Sequence, residues 1–377
     1  MKKLKLGIDA SALLVAQKNG YENYATSLIL ELVKLSAAEF SGLDITLYFY
    51  AGNQLADPKL LAYYRPALKN FKLRVYRPQT GFSKIFPWIC AWDKLDWLHL
   101  PVHIWAKSYP CNIISTFHDA CSKKMYQQGL IRQLPAHEND INNQIKMSKA
   151  FIAVSEQSKK DLMQYYGIAD RDISVVHHGV DPDFRTLPEE VGQIKNKYDL
   201  KQYVLSVNAI QSHKNYVRLL QAFSILKQIY KIPHALVIVG RDGWGCEETY
   251  SEIERLDMGP TVRRIGFIPR EDLISLYNGA DLVVNASLCE GFGFPILEAL
   301  ACGAVVVASQ NTSLQIVGGP AAIYFDPCNV EDMASVIYRG LSDEQIRTNL
   351  RNAAPQQLAR FSWQKAAKET IKIYQSL

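Results

Sequence analysis

At 377 residues, 48% of them hydrophobic and 21% charged, the chain has the balance of a soluble globular enzyme with room for two domains. That composition excludes a disordered protein, and no apolar run reaches the roughly 18 to 20 residues that a membrane span needs. The formal net charge of +5 is unevenly spread: residues 1–183 carry 22 Lys and Arg against 17 Asp and Glu, whereas the remainder carries 20 of each. A basic first half points to an anionic partner such as a membrane surface or a lipid phosphate. Nucleic acid is not expected, because no nucleic-acid motif accompanies the charge. The amino terminus passes from Met1-Lys2-Lys3 into a strand rather than a signal-peptide core. The expectation is therefore a cytoplasmic protein, with a peripheral place on the inner membrane face open to it. The seven cysteines are odd in number, scattered and without a C-x-x-C pair, which argues against disulfides and zinc and for reduced thiols.

In chain order, residues 4–9 read as a first strand and 21–35 as a helix, with Gly20 just ahead of it. The loop between them lies at the carboxyl end of a strand, where open α/β sheets take ligands. It lacks G-x-G-x-x-G and so carries no dinucleotide fingerprint. Residues 43–50 form a second strand. After it Lys59, Arg65, Lys69, Lys72, Arg74 and Arg77 interleave with Tyr63, Tyr64, Phe71 and Tyr76, with no acid between. Cations among aromatics suit a bilayer headgroup region, and a solvated helix face with core aromatics accounts for the same pattern. Trp88, Trp92, Trp97 and Trp105 follow, together with Phe82, Phe86 and Pro87. Core packing is the preferred account of them, and an aromatic platform for sugar rings in an acceptor cleft is the alternative.

Residues 111–117 read as a strand ending in His118-Asp119, a pair that can place an imidazole at a cleft. Strand 151–154 comes next, with Ser155 as an N-cap and Ser158 and Asp161 in the first turns of a helix. Asp181-Pro182-Asp183 has the spacing of a metal-binding DxD, but proline there marks a turn and no metal is expected. Residues 184–195, polar and broken by Pro188 and Gly192, read as a linker. The alternation then restarts with strand 203–208, the run Gln211-Ser212-His213-Lys214-Asn215 and an amphipathic helix over 216–230. A lysine ahead of a helix N-terminus at a strand's carboxyl end is well placed to neutralise a diphosphate. Strand 235–240 leads to Arg241, strand 262–269 contains Phe267 and Ile268, and a helix covers 272–278.

Residues 282–285 read as a buried strand, Gly291 and Gly293 as a loop with special backbone needs, and Pro295 as the first position of a helix that stops near Gly303. The order strand, glycine loop, helix N-terminus presents backbone N–H groups to an anion, usually a phosphate. Glu290 falls in the loop and Glu298 in the first helical turn. Taken alone, Glu298 needs only to complement the helix dipole and Glu290 only to be a solvated loop acid. Strands at 305–308 and 322–325 and helices from about 330 complete the chain.

The string Glu290-Gly291-Phe292-Gly293-Phe294-Pro295-x-x-Glu298, followed by Ala299-x-Ala301-Cys302-Gly303, closely resembles the EX7E signature of retaining GT-B glycosyltransferases of family 4. The resemblance covers nearly the whole chain and is strongest over 203–327. It includes "VSxxSxxDL" at 154–162 and "xxNGVD" at 176–181, where His178 replaces the usual Asn. It also includes the family's Pro-Arg-Lys-Asn at 212–215, where His213 replaces the arginine. The resemblance implies that Gly20 and Tyr21 lie near the donor phosphates and the acceptor. It implies that His118, supported by Asp119, contacts the donor sugar or its phosphate. Lys214 inherits the diphosphate, with His213 offering a hydrogen bond rather than a fixed charge. Arg241 and the backbone at Phe267-Ile268 would line the nucleotide side. Gly291, Phe292, Gly293 and Phe294 would meet the phosphates, Glu290 the sugar hydroxyls and Glu298 the ribose hydroxyls. His118, Glu290 and Lys214 are the implied catalytic set.

Two runs of alternating strand and helix predict an α/β protein with two Rossmann-like domains, and the resemblance makes this GT-B, with the domains facing a central cleft. The expected boundaries are an acceptor-binding domain at 1–183, a linker at 184–195 and a nucleotide-sugar domain at 196–354, with helices at about 355–377 packing back on the first. The implied activity is retaining transfer of a hexose from a nucleotide-diphosphate sugar to a glycan or lipid-linked acceptor in bacterial polysaccharide biosynthesis. UDP-hexose, such as UDP-glucose, stands ahead of GDP-mannose on family frequency, and no cofactor or metal is expected. A GT-B sugar-nucleotide epimerase and a non-catalytic sugar-nucleotide-binding protein are the alternatives; the missing glycine fingerprint disfavours an NAD-dependent oxidoreductase.

Overall fold

The computed structural model describes all residues except 1–2, 37, 52–56, 78–81, 103–105, 132, 136–137 and 311–312, and of Pro58, Phe82 and Ser83 the backbone alone. The chain divides into two compact units, Met1–Gly179 with Ser362–Leu377, and Val180–Phe361.

In the first unit, seven described strands form one parallel sheet: β1 (Leu4–Asp9), β2 (Leu43–Tyr50), β3 (Lys72–Tyr76), β4 (Trp97–Leu100), β5 (Asn112–Phe117), β6 (Ser148–Ala153) and β7 (Ile173–Val175). Their order is β3-β2-β1-β4-β5-β6-β7. The central strands are buried on both faces, as parallel strands covered by helices must be. One face packs under helix Gly20–Leu32 and the C-terminal helix Trp363–Ser376, which belongs to this unit. There the buried His99 bonds the Tyr374 hydroxyl at 2.6 Å and Thr116 Oγ1 at 2.9 Å, and Tyr24 reaches the same threonine at 2.9 Å. Leu98 and Leu100, alternating with His99, point to the other face and pack under helix Phe82–Trp92.

Two aromatic-basic readings are corrected here. The basic run is not one helix face: Lys59 lies in helix Pro58–Tyr64, Lys72 and Arg74 in the edge strand β3, and Arg65, Lys69 and Arg77 outside both. Charged residues on an edge strand oppose pairing with another chain. Lys72 and Arg74 are also neutralised by acids distant in sequence, Asp44 at 2.9 Å and Asp93 at 2.7 Å. Nor do the tryptophans share a core. Trp97 opens β4 and is half-buried, Trp88 and Trp92 are exposed, and Trp105 lies outside the described residues.

In the second unit β8 (Tyr203–Val207), β9 (Ala235–Val239), β10 (Val262–Gly266), β11 (Leu282–Asn285), β12 (Val306–Ser309) and β13 (Ala322–Phe325) form a parallel sheet in the order β10-β9-β8-β11-β12-β13. The expected linker is partly structured: Pro188–Glu190 is a 3-10 turn and Val191–Lys197 a helix, the proline serving as its usual starting residue. Helix Phe294–Ala301 places Glu298 in its second turn rather than its first, and the chain leaves that helix through Gly303 at φ +76°. Cys90, Cys111, Cys246, Cys302 and Cys328 carry free thiols; Cys121 and Cys289 do not, which departs from the expectation of reduced cysteines throughout. Among the described residues no helix is long and apolar enough to cross a membrane.

Candidate functional site

The strand order of the second sheet reverses between β8 and β11, which lie side by side with Leu282 opposite Val204 and Val283 opposite Leu205. Loops leaving the carboxyl ends of two such strands diverge and open a crevice between them. Here β8 feeds the 3-10 turn Ser212–Lys214, and β11 feeds the loop that carries Glu290. The Leu288 N–H donates to the His213 carbonyl at 2.8 Å and ties the two loops together. Lys214 Nζ then meets Glu290 Oε1 at 2.6 Å, with each side chain only 12% exposed. Ser287 Oγ donates to the same oxygen at 2.9 Å. Ser313 Oγ holds the loop backbone through the carbonyls of Glu290 and Phe292, at 3.0 and 2.9 Å.

Backbone geometry explains two residues of this stretch. Asn215 turns the chain into helix Tyr216–Gln228 at φ +62°, a left-handed conformation asparagine tolerates better than most. Its buried amide donates to the carbonyls of Ala286 and Pro327 at 3.1 and 2.8 Å. Gly293 adopts φ +112° as the N-cap of helix Phe294–Ala301, and a Cβ there would fall 2.5 Å from Leu314 Cδ2. That helix directs the positive end of its dipole to the loop that bears Glu290 three residues earlier. Phe292 itself is buried between Phe294 and Phe361, so its backbone rather than its ring is available to a ligand.

Glu298 accepts a hydrogen bond from the buried Tyr277 hydroxyl at 2.8 Å. Desolvation pushes its carboxyl up to about 7, against the opposing effects of Tyr277 and Arg270. Arg270 contacts Asp181 at 2.5 Å and Asp183 at 3.5 Å, so both carboxylates of the DxD-like triplet face a guanidinium. At the end of β9 Gly240, at φ +149°, comes so close to the Asn208 carbonyl that a Cβ would sit 2.0 Å from that oxygen. Arg241 lies over the Phe267 ring at 4.3 Å; Phe267 is exposed, whereas the Ile268 side chain is buried. His213 stacks on Trp244 with ring centroids 6.1 Å apart and planes 24° from parallel.

In the first unit Asn19 caps helix Gly20–Leu32, its side chain accepting from the Tyr21 N–H at 2.8 Å while Glu22 accepts from the Asn19 N–H at 3.0 Å. Gly20 is thus a helical residue rather than part of the preceding turn. The Tyr21 hydroxyl donates to Asp119 at 3.0 Å, and Asp119 also accepts from the Cys121 N–H at 3.0 Å. His118 lies against Tyr21 and Tyr24, at 4.6 and 5.0 Å between centroids. Its Nε2 bonds the Pro101 carbonyl at 2.9 Å, which can only accept, so Nε2 carries the proton. His178 is buried and stacked on Trp363, and desolvation keeps it neutral by lowering its pKa. The helix bearing Trp363 comes so close that a Cβ at Gly179 would lie 2.1 Å from the Trp363 backbone nitrogen.

The structure therefore brings His213, Lys214, Glu290, Gly291, Phe292, Gly293 and Phe294 together around two joined loops, with Glu298 farther along the same helix. It brings Tyr21 and His118 together in the first unit. Ser287, Ser313, Tyr277, Arg270 and Trp244 escaped the sequence reading. Ser287 sits three residues before Glu290 and was within reach of it; the others act across elements, and no local spacing marks them.

Two family models match the chain: "Glycosyltransferase Family 4" over residues 18–184 and "Glycosyl transferases group 1" over residues 189–357. Among curated relatives, the O-antigen chain mannosyltransferase B of Escherichia coli is 29% identical over 270 residues, covering 70% of this chain and 70% of that protein. The serotype-specific mannosyltransferase WbdA of the same organism is 31% identical over 238 residues, covering 61% of this chain and 29% of WbdA. Among solved structures, Anabaena HepE in complex with UDP and glucose superposes over 100% of both chains, with a TM-score of 0.69 and 19% identity. WaaG, a glycosyltransferase involved in lipopolysaccharide biosynthesis, superposes with a TM-score of 0.68 and 16% identity over 98% of this chain and 99% of that one.

Proposed function

Because the chain belongs to the family 4 glycosyltransferases of GT-B fold, we propose that it moves a hexose, with retention, from a nucleoside-diphosphate sugar to a growing or lipid-linked glycan in polysaccharide assembly. Mannose is the sugar favoured, since two of the relatives are named as mannosyltransferases, and GDP-mannose therefore moves ahead of UDP-hexose as donor. The observation that carries the reading is the Lys214–Glu290 pair three residues ahead of a glycine-capped helix N-terminus.

In the transfer, the bond from the sugar's anomeric carbon to phosphate breaks and a bond to the acceptor hydroxyl forms on the same face. The nucleoside diphosphate leaves, and its phosphate takes the acceptor's proton. Negative charge therefore grows on the leaving group, and fixed positive groups aimed at it lower the barrier. Lys214 and the N-terminus of helix Phe294–Ala301 supply that charge without a metal. Glu290, once Lys214 turns to the phosphates, accepts hydrogen bonds from sugar hydroxyls. Glu298 accepts from the ribose, and His118 of the first unit contacts the transferred sugar.

Thermal scans with UDP, GDP, ADP and their sugars test this, because a ligand that binds only the folded state raises its apparent stability. A guanosine nucleotide should stabilise most, and turnover of its mannose conjugate, in the presence of chelator, should give a product of unchanged anomeric configuration. The reading fails if no nucleotide stabilises the protein. Turnover of donor without acceptor and without hydrolysis would instead make it an epimerase, and complete loss of activity with chelator would overturn the metal-free mechanism.

A further inference from the structure

Helix Phe82–Trp92 buries one face and leaves the other bare. Phe86 and Cys90 are fully buried against Tyr48, Leu98, Leu100 and Ile113. On the opposite face Ile85, Trp88 and Trp92 follow one another at helical spacings of three and four and are 43%, 76% and 80% exposed. Indole rings are seldom left this open: exposed large aromatics grouped on one face mark a surface that meets something apolar. Trp88 and Trp92 also line an open groove of about 550 Å³ with Ser108, Tyr109 and Pro110.

Three exposed lysines adjoin this face. Lys84 precedes Trp88 by one helical turn, Lys94 follows the helix, and Lys107 adjoins the groove; all three are exposed. The two acids of the segment are each engaged: Asp93 binds Arg74 and the Tyr48 hydroxyl, at 2.7 Å each, and Asp96 accepts from the Lys5 N–H at 2.8 Å. The helix packs on the sheet face opposite to the one covered by Gly20–Leu32 and Trp363–Ser376, so those two helices do not cover it.

We propose that the Ile85–Trp88–Trp92 face seats this domain on an anionic bilayer surface, the indoles at headgroup depth and Lys84, Lys94 and Lys107 against lipid phosphates. Tryptophan combines an apolar body with a polar N–H and settles at that depth, while lysine supplies the attraction that a single short apolar face lacks. The occupant is a membrane rather than a protein because the apolar stripe is only one helix wide and is framed by exposed lysines, while Asp93 and Asp96 are engaged by Arg74, Tyr48 and the Lys5 N–H. This rests on the proposal of a lipid-linked acceptor, which would be met in that plane.

The test is sedimentation of the full chain with vesicles of phosphatidylglycerol and phosphatidylethanolamine, compared with phosphatidylcholine alone, for wild type, Trp88→Ser/Trp92→Ser and Lys84→Glu/Lys107→Glu. Wild type should bind the anionic vesicles and show a blue-shifted tryptophan emission. Both double variants should bind at least about tenfold more weakly while keeping the wild-type melting temperature, since the altered side chains are exposed. High salt should weaken wild-type binding. Equal binding by the tryptophan variant overturns the proposal, as does binding indifferent to lipid charge. A wild-type dimer that this variant abolishes overturns it in favour of a protein interface. Nucleotide stabilisation, measured in parallel, should be unchanged in both variants; its absence from wild type would sink the glycosyltransferase reading and leave the vesicle result standing.

Discussion

Replacing Lys214 with methionine should destabilise the second domain and weaken donor binding for separable reasons. At 2.6 Å the gross attraction between Lys214 and Glu290 is about 6 kcal/mol for an effective dielectric constant near 20. Most of that is offset by taking both groups out of water, so the pair adds little net stability. Removing only the cation is different, because Glu290 is then held at 12% exposure with Ser287 as its remaining partner. The expected loss is about 3 kcal/mol, at the low end of the range for broken buried pairs, because Ser287 stays. For a domain of this size that lowers the melting temperature by roughly 6–12 °C. Glu290→Gln should cost about 1–2 kcal/mol, since the longer lysine can reach water. The double variant Lys214→Met/Glu290→Gln should return to within about 1 kcal/mol of wild type, a coupling of at least about 3 kcal/mol. Urea unfolding of the four proteins measures this. A coupling below about 0.5 kcal/mol would refute the buried pair. Donor affinity should stay low in the double variant, because a diphosphate needs the cation even when the fold does not.

Glu298 gives a pH prediction. Its folded-state value of about 7 lies above the usual 4.5, so the fold retains a proton that the unfolded chain releases. Its contribution to stability is complete below about pH 4.5 and lost as pH rises through 7. Wild type should therefore lose about 2.5 kcal/mol more than Glu298→Gln between pH 5 and pH 8, and parallel stability profiles would contradict the assignment. Ribose hydroxyls bind a carboxylate better than a carboxylic acid, so nucleotide affinity should rise with pH across 7 in wild type and stay flat in Glu298→Gln, as read by calorimetry. Gly293→Ala forces a side chain onto φ +112° beside the buried Leu314 and should destabilise by about 1–3 kcal/mol while weakening nucleotide binding; a neutral melting temperature would mean the loop has another conformation. Tyr277→Phe removes the hydroxyl that Glu298 accepts from and should cost about 1 kcal/mol in denaturant unfolding, with no effect if the 2.8 Å bond is not formed.

The alternation of short apolar strands with helices was readable at most positions. Leu4–Asp9, Leu43–Tyr50 and Leu282–Asn285 fall where the apolar runs place them. A strand buried on both faces must be apolar throughout, so its signal is local. Edge and mixed elements were not readable. β3 is half polar because one side of an edge strand meets water; its lysine and arginine suited a bilayer headgroup region or a helix face equally, and only the fold sets Asp44 and Asp93 against them. Trp88 and Trp92 were misread for the opposite reason: composition favours burying an indole, and only the packing of Phe86 and Cys90 decides which side of the helix faces out.

By itself the sequence determined the chemistry available at the loop from Glu290 to Glu298: a glycine that alone accepts the left-handed turn, a helix start, and two carboxylates eight positions apart. Those are properties of neighbours along the chain, where steric limits and helix geometry act directly. Tertiary structure decided what each carboxylate meets. Glu290 faces Lys214, 76 residues away, because the parallel pairing of β11 with β8 sets their two loops side by side. Glu298 holds a proton near neutral pH because helix Arg270–Gly279 brings Tyr277 against it and keeps water away. Charge state and partner depend on what surrounds a group in space, and that environment exists only once distant segments have packed.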